Sequence, residues 1–147
     1  SEVLPFTDLV LFDIKLMDPV LHEKYTGAPN KVILKNLLMI ADRIRETGKP
    51  ELWIRTPVIP GATAVDSNIA SIGGYIAGNL KDVVTRWDLC AFNNLCADKY
   101  RRLDRKWDFS GTKLLKKDEM KHFAEIAKSS GADPGIVFWS GPTSAEE

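Results

Sequence analysis

The sequence predicts an α/β fold, a parallel sheet of about four strands with helices packed outside it. Three observations predict it. Strand and helix character alternate along the chain in the order strand, helix, strand, helix, strand, helix, strand. The first strand, Leu9 to Lys15, is apolar on both faces until its last residues, as a strand buried within a parallel sheet must be. The connections are long enough for right-handed crossovers between parallel strands.

Each element has a local reason. In the first strand, Asp13 and Lys15 lie two apart, so alternation points both to one face with Leu9 and Leu11 below them. Met17-Asp18-Pro19 breaks that strand. A short helix follows from Pro19 to Tyr25, with Asp18 as N-cap, Pro19 in the first turn, and Gly27 and Pro29 at its end. A longer helix, about Lys31 to Thr47, carries Ile33, Leu34, Leu37, Leu38, Ala41 and Ile44 as one apolar stripe. Asn30 is placed to cap it and Gly48 to close it. Glu51 to Pro57 reads as the second strand, with Trp53 and Arg55 on one face. Pro57 to Gly61 reads as a loop, because proline cannot continue a central ladder. Asp66 or Ser67 caps a third helix, about Asn68 to Asn79, with Ile69, Ile72 and Ile76 inward. Gly73, Gly74 and Gly78 weaken it. Val83 to Phe92 forms the third strand. Leu89, Ala91 and Asn93 fall on one of its faces, and Cys90, Phe92 and Asn94 on the other. A loop with a short helix spans Leu95 to Leu103, followed by a polar, irregular stretch to Leu115. Lys117 to Ser130 is a helix burying Met120, Phe123, Ile126 and Ala127, and Ile136 to Trp139 is a short last strand. No repeat or linker divides the chain, so 1–147 reads as one domain, with 140–147 a flexible tail.

Composition excludes several classes. The 147 residues carry 20 Lys plus Arg against 20 Asp plus Glu, so no long-range field draws in nucleic acid or an acidic membrane. No run approaches the roughly 18 apolar residues of a membrane span. Two cysteines cannot build a disulfide scaffold, which points to a reducing, cytoplasmic setting. The opening residues have no signal-peptide pattern and read as an excised segment as readily as a natural start.

The candidate site gathers at strand ends. Asp13, Lys15, Arg55 and Asn93 each fall at or near the C-terminal end of a strand, the edge that faces the ligand crevice in parallel α/β folds. Two readings stand. The charges form an internal structural network, or they form a polar cup for an anionic or zwitterionic small molecule. In the second, Arg55 offers its fork to a carboxylate and Asp13 meets a hydroxyl, an ammonium or a cation. No residue is singled out as catalytic and no metal set is found. His22 and His122 have no partner at ligand spacing and read as surface or partly packed groups. Cys90 reads as a core thiol. The basic run Lys99, Arg101, Arg102, Arg105 and Lys106 is diluted by Asp98, Asp104 and Asp108 and reads as a solvated face, with Trp107 and Phe109 as packing.

The run Asp8 to Lys15, then Met17-Asp18-Pro19, His22 and Tyr25-Thr26-Gly27, resembles the glycyl-radical-enzyme activating enzymes, a family of radical S-adenosylmethionine enzymes. The resemblance continues through Asn36, Trp53-Ile54-Arg55 and Val58-Ile59-Pro60-Gly61. It resumes over Leu89 to Tyr100, at Leu103 and in the last helix. It implies a partial (β/α)6, TIM-like barrel. Its cofactors would be S-adenosylmethionine and a [4Fe–4S] cluster on a Cys-x3-Cys-x2-Cys loop, and its product a radical on a backbone glycine of a partner glycyl-radical enzyme. An electron donor such as a flavodoxin or ferredoxin would reduce the cluster. By the same resemblance, Asp13 and Lys15 match strand-end residues at the cofactor and a nearby cation site, and Arg55 matches an arginine that contacts S-adenosylmethionine. Asn93 stands where such enzymes often carry a histidine, in a run that reads Cys90-Ala91-Phe92-Asn93 instead of one close to Leu-Pro-Tyr-His. Asparagine can hydrogen-bond there but cannot titrate as an imidazole does.

Nothing in the chain matches the cysteine loop, so the resemblance is to the C-terminal half of such an enzyme, beginning about where a fourth barrel strand would. That half is expected to bind no cluster, to be inactive alone, and to self-associate through the edge at Leu9 to Ile14. Two alternatives remain: a non-catalytic α/β domain for a small zwitterionic metabolite, and a structural interaction domain.

Overall fold

The computed structural model describes residues 3–145. Four parallel strands, β1 (Leu9–Asp13), β2 (Glu51–Val58), β3 (Val84–Ala91) and β4 (Val137–Ser140), lie in sequence order across one sheet. The helices between them are α1 (Pro19–Thr26), α2 (Lys31–Thr47), α3 (Asp66–Asn79), α4 (Ala97–Arg102) and α5 (Lys117–Ser129). The predicted α/β architecture and its four parallel strands are therefore present.

The core lies on the helix side. Leu52, Ile54 and Val58 of β2 and Trp87 and Leu89 of β3 are completely buried. They meet Leu37 and Ala41 of α2, Ile69, Ile72 and Ile76 of α3, and Met120 and Ala127 of α5. A ring as large as Trp87 brings a polar N–H inside with it, and Thr56 Oγ1 accepts that hydrogen at 2.9 Å. Gly73 of α3 has a packing role: a Cβ there would collide with Ser130 and lie 3.1 Å from the Trp87 ring. The other two glycines of that helix have open space around them.

Several boundaries differ from expectation. Pro57 and Val58 continue β2, pairing with Cys90 and Ala91, although β2 is a central strand. Proline is tolerated because β1 has already ended there. Arg55 O accepts from Ile14 N on the β1 side, so position 57, two residues on, points its missing N–H past the end of β1. α3 begins at Asp66, with Val65 as its N-cap residue and no side-chain cap. Asn30 precedes α2 but does not cap it. Its buried amide instead donates to the carbonyls of Leu16 (3.1 Å) and Met17 (2.8 Å). Asn68 does the same from the other side, donating to Lys15 O and accepting from Met17 N. Two asparagines thus take up the polar backbone where β1 leaves the sheet, and they fix the stem that carries Lys15. Asp18 caps α1 as expected, accepting from the amides of Val20 and Leu21, and Gly27 closes it in the left-handed conformation. The tail is tied down in part: Ser140 belongs to β4, and Ser144 N donates to Leu115 O at 2.9 Å. Residues 146–147, also within the expected tail, lie outside the described residues.

Candidate functional site

The face of the sheet turned away from the helices carries charge. Strand alternation places Leu9, Leu11 and Asp13 of β1, Glu51, Trp53 and Arg55 of β2, Arg86, Asp88 and Cys90 of β3, and Phe138 and Ser140 of β4 on it. The register stacks them in rows. Leu11, Trp53 and Arg86 form one, and Asp13, Arg55, Asp88 and Phe138 the next toward the C-terminal edge.

The lower row is a platform. The Arg86 guanidinium lies 4.9 Å from the Trp53 ring centre and 4.3 Å from that of Phe138. Trp53 is locked from below, because its indole N–H donates to Glu51 Oε1 at 2.7 Å while the Thr85 hydroxyl donates to the same oxygen at 2.8 Å. Those two bonds hold the Glu51 carboxyl below its ordinary pKa.

The upper row is an alternating ladder. Asp13 lies 3.6 Å from Lys15 Nζ and 4.0 Å from Arg55 Nε, with each side chain a little under half exposed. Arg86 Nη2 lies 3.6 Å from Asp88 Oδ1, and Ser140 Oγ donates to Asp88 Oδ2 at 3.3 Å. Asp88 Oδ1 and Arg86 Nε are buried without a hydrogen-bond partner. The neighbouring Cys90, then Asp13 and Asp88, hold the Arg55 guanidinium above its ordinary value, while burial pushes the Cys90 thiol up. Three cations, Lys15, Arg55 and Arg86, thus face two carboxylates, which leaves the cup suited to one anionic group. The open pairs are half in water and contribute little stability, roughly 0–1 kcal/mol each.

Asp13, Lys15 and Arg55 come together as the sequence suggested. Asn93 joins the same edge but not the ladder. It lies two residues past the end of β3, where alternation no longer governs, and its side chain accepts from Leu95 N at 3.1 Å to form a turn. Cys90 is not a core thiol; it is half-buried on the charged face beside Arg55. His22 is buried, with Nδ1 2.7 Å from Ala28 O. A carbonyl can only accept, so that nitrogen carries the proton. His122 is exposed and lies 3.1 Å from Asp66. Trp107 and Phe109 pack on Phe92, and Asp98 pairs with Arg101 and Arg102 on an open surface. Sequence reasoning missed Arg86 and Asp88. Counting back by twos from Cys90 would have found them, once Cys90 was read as facing the same way as Arg55.

Among the described residues no three His, Cys, Asp or Glu side chains gather as a metal-holding group, and both cysteines are free. Two thiols, one half-buried and one exposed, do not fit a [4Fe–4S] cluster. The upper row does fit a zwitterionic ligand such as S-adenosylmethionine: it sets the Arg55 guanidinium beside the Asp13 carboxylate, both a little under half exposed and so within reach of a ligand's carboxylate and ammonium. A largely apolar groove of about 590 Å³ between β1 and α2, lined by Leu4, Pro5, Phe12, Met39 and Ile40 with Asn36 and Arg43 of α2, lies apart from this chemistry. No helix among the described residues is long and apolar enough to cross a membrane.

No family model matches the chain. It is 34 % identical over 128 residues to the (2S)-3-sulfopropanediol dehydratase activating enzyme of Klebsiella oxytoca, covering 87 % of this chain and 39 % of that protein. It is 32 % identical over 131 residues to the indoleacetate decarboxylase activating enzyme of Tractidigestivibacter scatoligenes, covering 89 % and 39 %. To the pyruvate formate-lyase-activating enzyme of Streptococcus mutans it is 32 % identical over 126 residues, covering 86 % and 45 %. In fold it is similar to a crystal structure of a domain of pyruvate-formate lyase-activating enzyme from Bacteroides vulgatus, with a TM-score of 0.67 at 20 % identity over 91 % of this chain and 68 % of that one. That likeness agrees with a partial TIM-like barrel. The chain spans less than half the length of the three curated relatives, and by its sequence it belongs to the family of the glycyl-radical-enzyme activating enzymes.

Proposed function

We propose that this chain is the cofactor-holding C-terminal part of a radical S-adenosylmethionine activase that acts on a backbone glycine of a glycyl-radical enzyme. The observation that carries the reading is the Asp13–Arg55–Asp88 row, an ionic ladder on the open face of a parallel sheet in a chain of this family. S-adenosylmethionine, held with a [4Fe–4S] cluster, supplies the hydrogen-abstracting chemistry of such enzymes. Within this chain Arg55 binds the ligand's carboxylate through its fork. Asp13 orients Arg55 and accepts from a ligand donor, and Lys15 balances Asp13. Asn93 contacts the ligand from the rim. The platform of Trp53, Arg86 and Phe138 forms the floor of the site. An electron donor protein completes the set of partners.

Alone, the chain is inactive, because it lacks the cysteines for a cluster. Anaerobic reconstitution with iron and sulfide, then a test for 5′-deoxyadenosine, is expected to give none; clear formation would defeat that part of the proposal. The chain also associates with itself along β1, whose Leu9 and Leu11 are exposed and whose outer edge pairs with no strand among the described residues. Light scattering is expected to report a species larger than the monomer, and a clean monomer at high concentration would count against it.

A further inference from the structure

Arg55 and Asp88 are cross-strand neighbours on the same face, yet no ion pair joins them among the described residues. Asp88 is turned instead toward Arg86 and Ser140, with one carboxylate oxygen 3.6 Å from Arg86 Nη2 and the other accepting from Ser140 at 3.3 Å. Arg86 cannot follow its own charge upward, because Trp53 and Phe138 lie against its guanidinium plane and Glu51 anchors Trp53. A carboxylate this buried, its side chain 15 % exposed, needs a cation. Removing Arg86 would leave Arg55 as the nearest replacement on the neighbouring strand.

We propose that Arg86 is a positioning residue, which holds Asp88 down and thereby keeps the Arg55 fork free for the carboxylate of a small ligand. This rests on the ligand cup described above, but the mechanism concerns protein groups alone. The same balance explains a second property. With Asp88 neutralised from below, the remaining Asp13 is shared by Lys15 and Arg55, so the cup keeps net positive charge and favours an anionic group over a free cation.

The availability of Arg55 can be read without any ligand. Phenylglyoxal labels accessible guanidinium groups, and peptide mapping by mass spectrometry gives the labelling rate at Arg55. In Arg86→Gln, Asp88 turns to Arg55, and labelling of Arg55 is expected to slow about three- to fivefold, the size of one open ion pair. In the double variant Arg86→Gln/Asp88→Asn the rate returns to that of the wild-type chain, which a purely structural role for Arg86 would not produce. Arg86→Lys keeps the charge and is expected to behave as wild type. Asp88→Asn alone is expected to label at or above the wild-type rate, and it remains informative if Arg86→Gln does not fold. An unchanged rate in Arg86→Gln, a double variant as slow as the single, or slowed labelling in Asp88→Asn would each overturn the proposal. Titration of the wild-type chain with S-adenosylmethionine separates the two ideas: if the labelling pattern holds but no binding is seen, the cofactor reading fails while the positioning role stands.

Discussion

The two faces of this sheet are made from alternate residues of the same strands, and they obey opposite rules. In β2, Leu52, Ile54, Thr56 and Val58 are fully buried against the helices, while Trp53, Arg55 and Pro57 between them are only partly covered. In β3, Trp87 and Leu89 are sealed inside, while Arg86, Asp88 and Cys90 line the open side. The helix face gains stability from apolar area removed from water, about 25 cal/mol per Å². The open face gains almost none from the half-solvated pairs of Asp13 with Lys15 and Arg55, but with Arg86 and Asp88 it concentrates five charged groups in one place. Folding and the ligand chemistry proposed for the open face are therefore separable by one step along a strand.

Neighbouring substitutions give the sharpest contrast. Ile54→Ala is expected to cost about 2–5 kcal/mol in urea unfolding, because it empties a site that is sealed on every side. Arg55→Ala, one residue on, is expected to change stability by no more than about 0.5 kcal/mol while abolishing ligand binding. A large loss of stability in Arg55→Ala would break the comparison and favour the charges as a structural network.

A smaller effect tests whether ion pairs outside the cup act on stability alone. Arg45 of α2 grips Asp82 at 2.7 Å and pulls that carboxyl from its ordinary 3.8 down to about 2. A carboxyl depressed in the folded state favours folding above its ordinary value, and that contribution is lost as pH falls through the folded one. Asp82→Asn should therefore lower the melting temperature slightly at neutral pH. The difference from wild type should close as pH falls from about 4 toward 2. A constant gap across that range would show that Asp82 acts through packing instead of charge. Ligand affinity should not change, since Asp82 is remote from the ladder.

Local chemistry made much of this legible in advance. Asp18-Pro19 and Gly27 are read correctly because an N-cap, an N1 proline and a left-handed glycine act within one turn. Trp53 and Arg55 share a face because alternation is a property of any strand. What failed depended on distant neighbours. Pro57 could stay in β2 only because β1 is short, and Asn30 left its helix to serve the backbone at Leu16 and Met17. Asn93 lies just beyond the strand whose alternation was used to place it. By residue type Cys90 reads as a core thiol, whereas alternation through β3 puts it beside Arg55 with Asp88 and Arg86. The packing around Gly73 depends on Ser130, far away in sequence.

The central claim is that the ligand meets the open face at the C-terminal ends of β1, β2 and β3. The direct measurement is an amide NMR titration of the wild-type chain with S-adenosylmethionine. The account predicts shifts confined to Asp13, Lys15, Arg55, Asp88, Cys90 and the Asn93 turn, and lost in Arg55→Ala. Shifts confined to the apolar groove between β1 and α2, or none at saturating ligand, would contradict it.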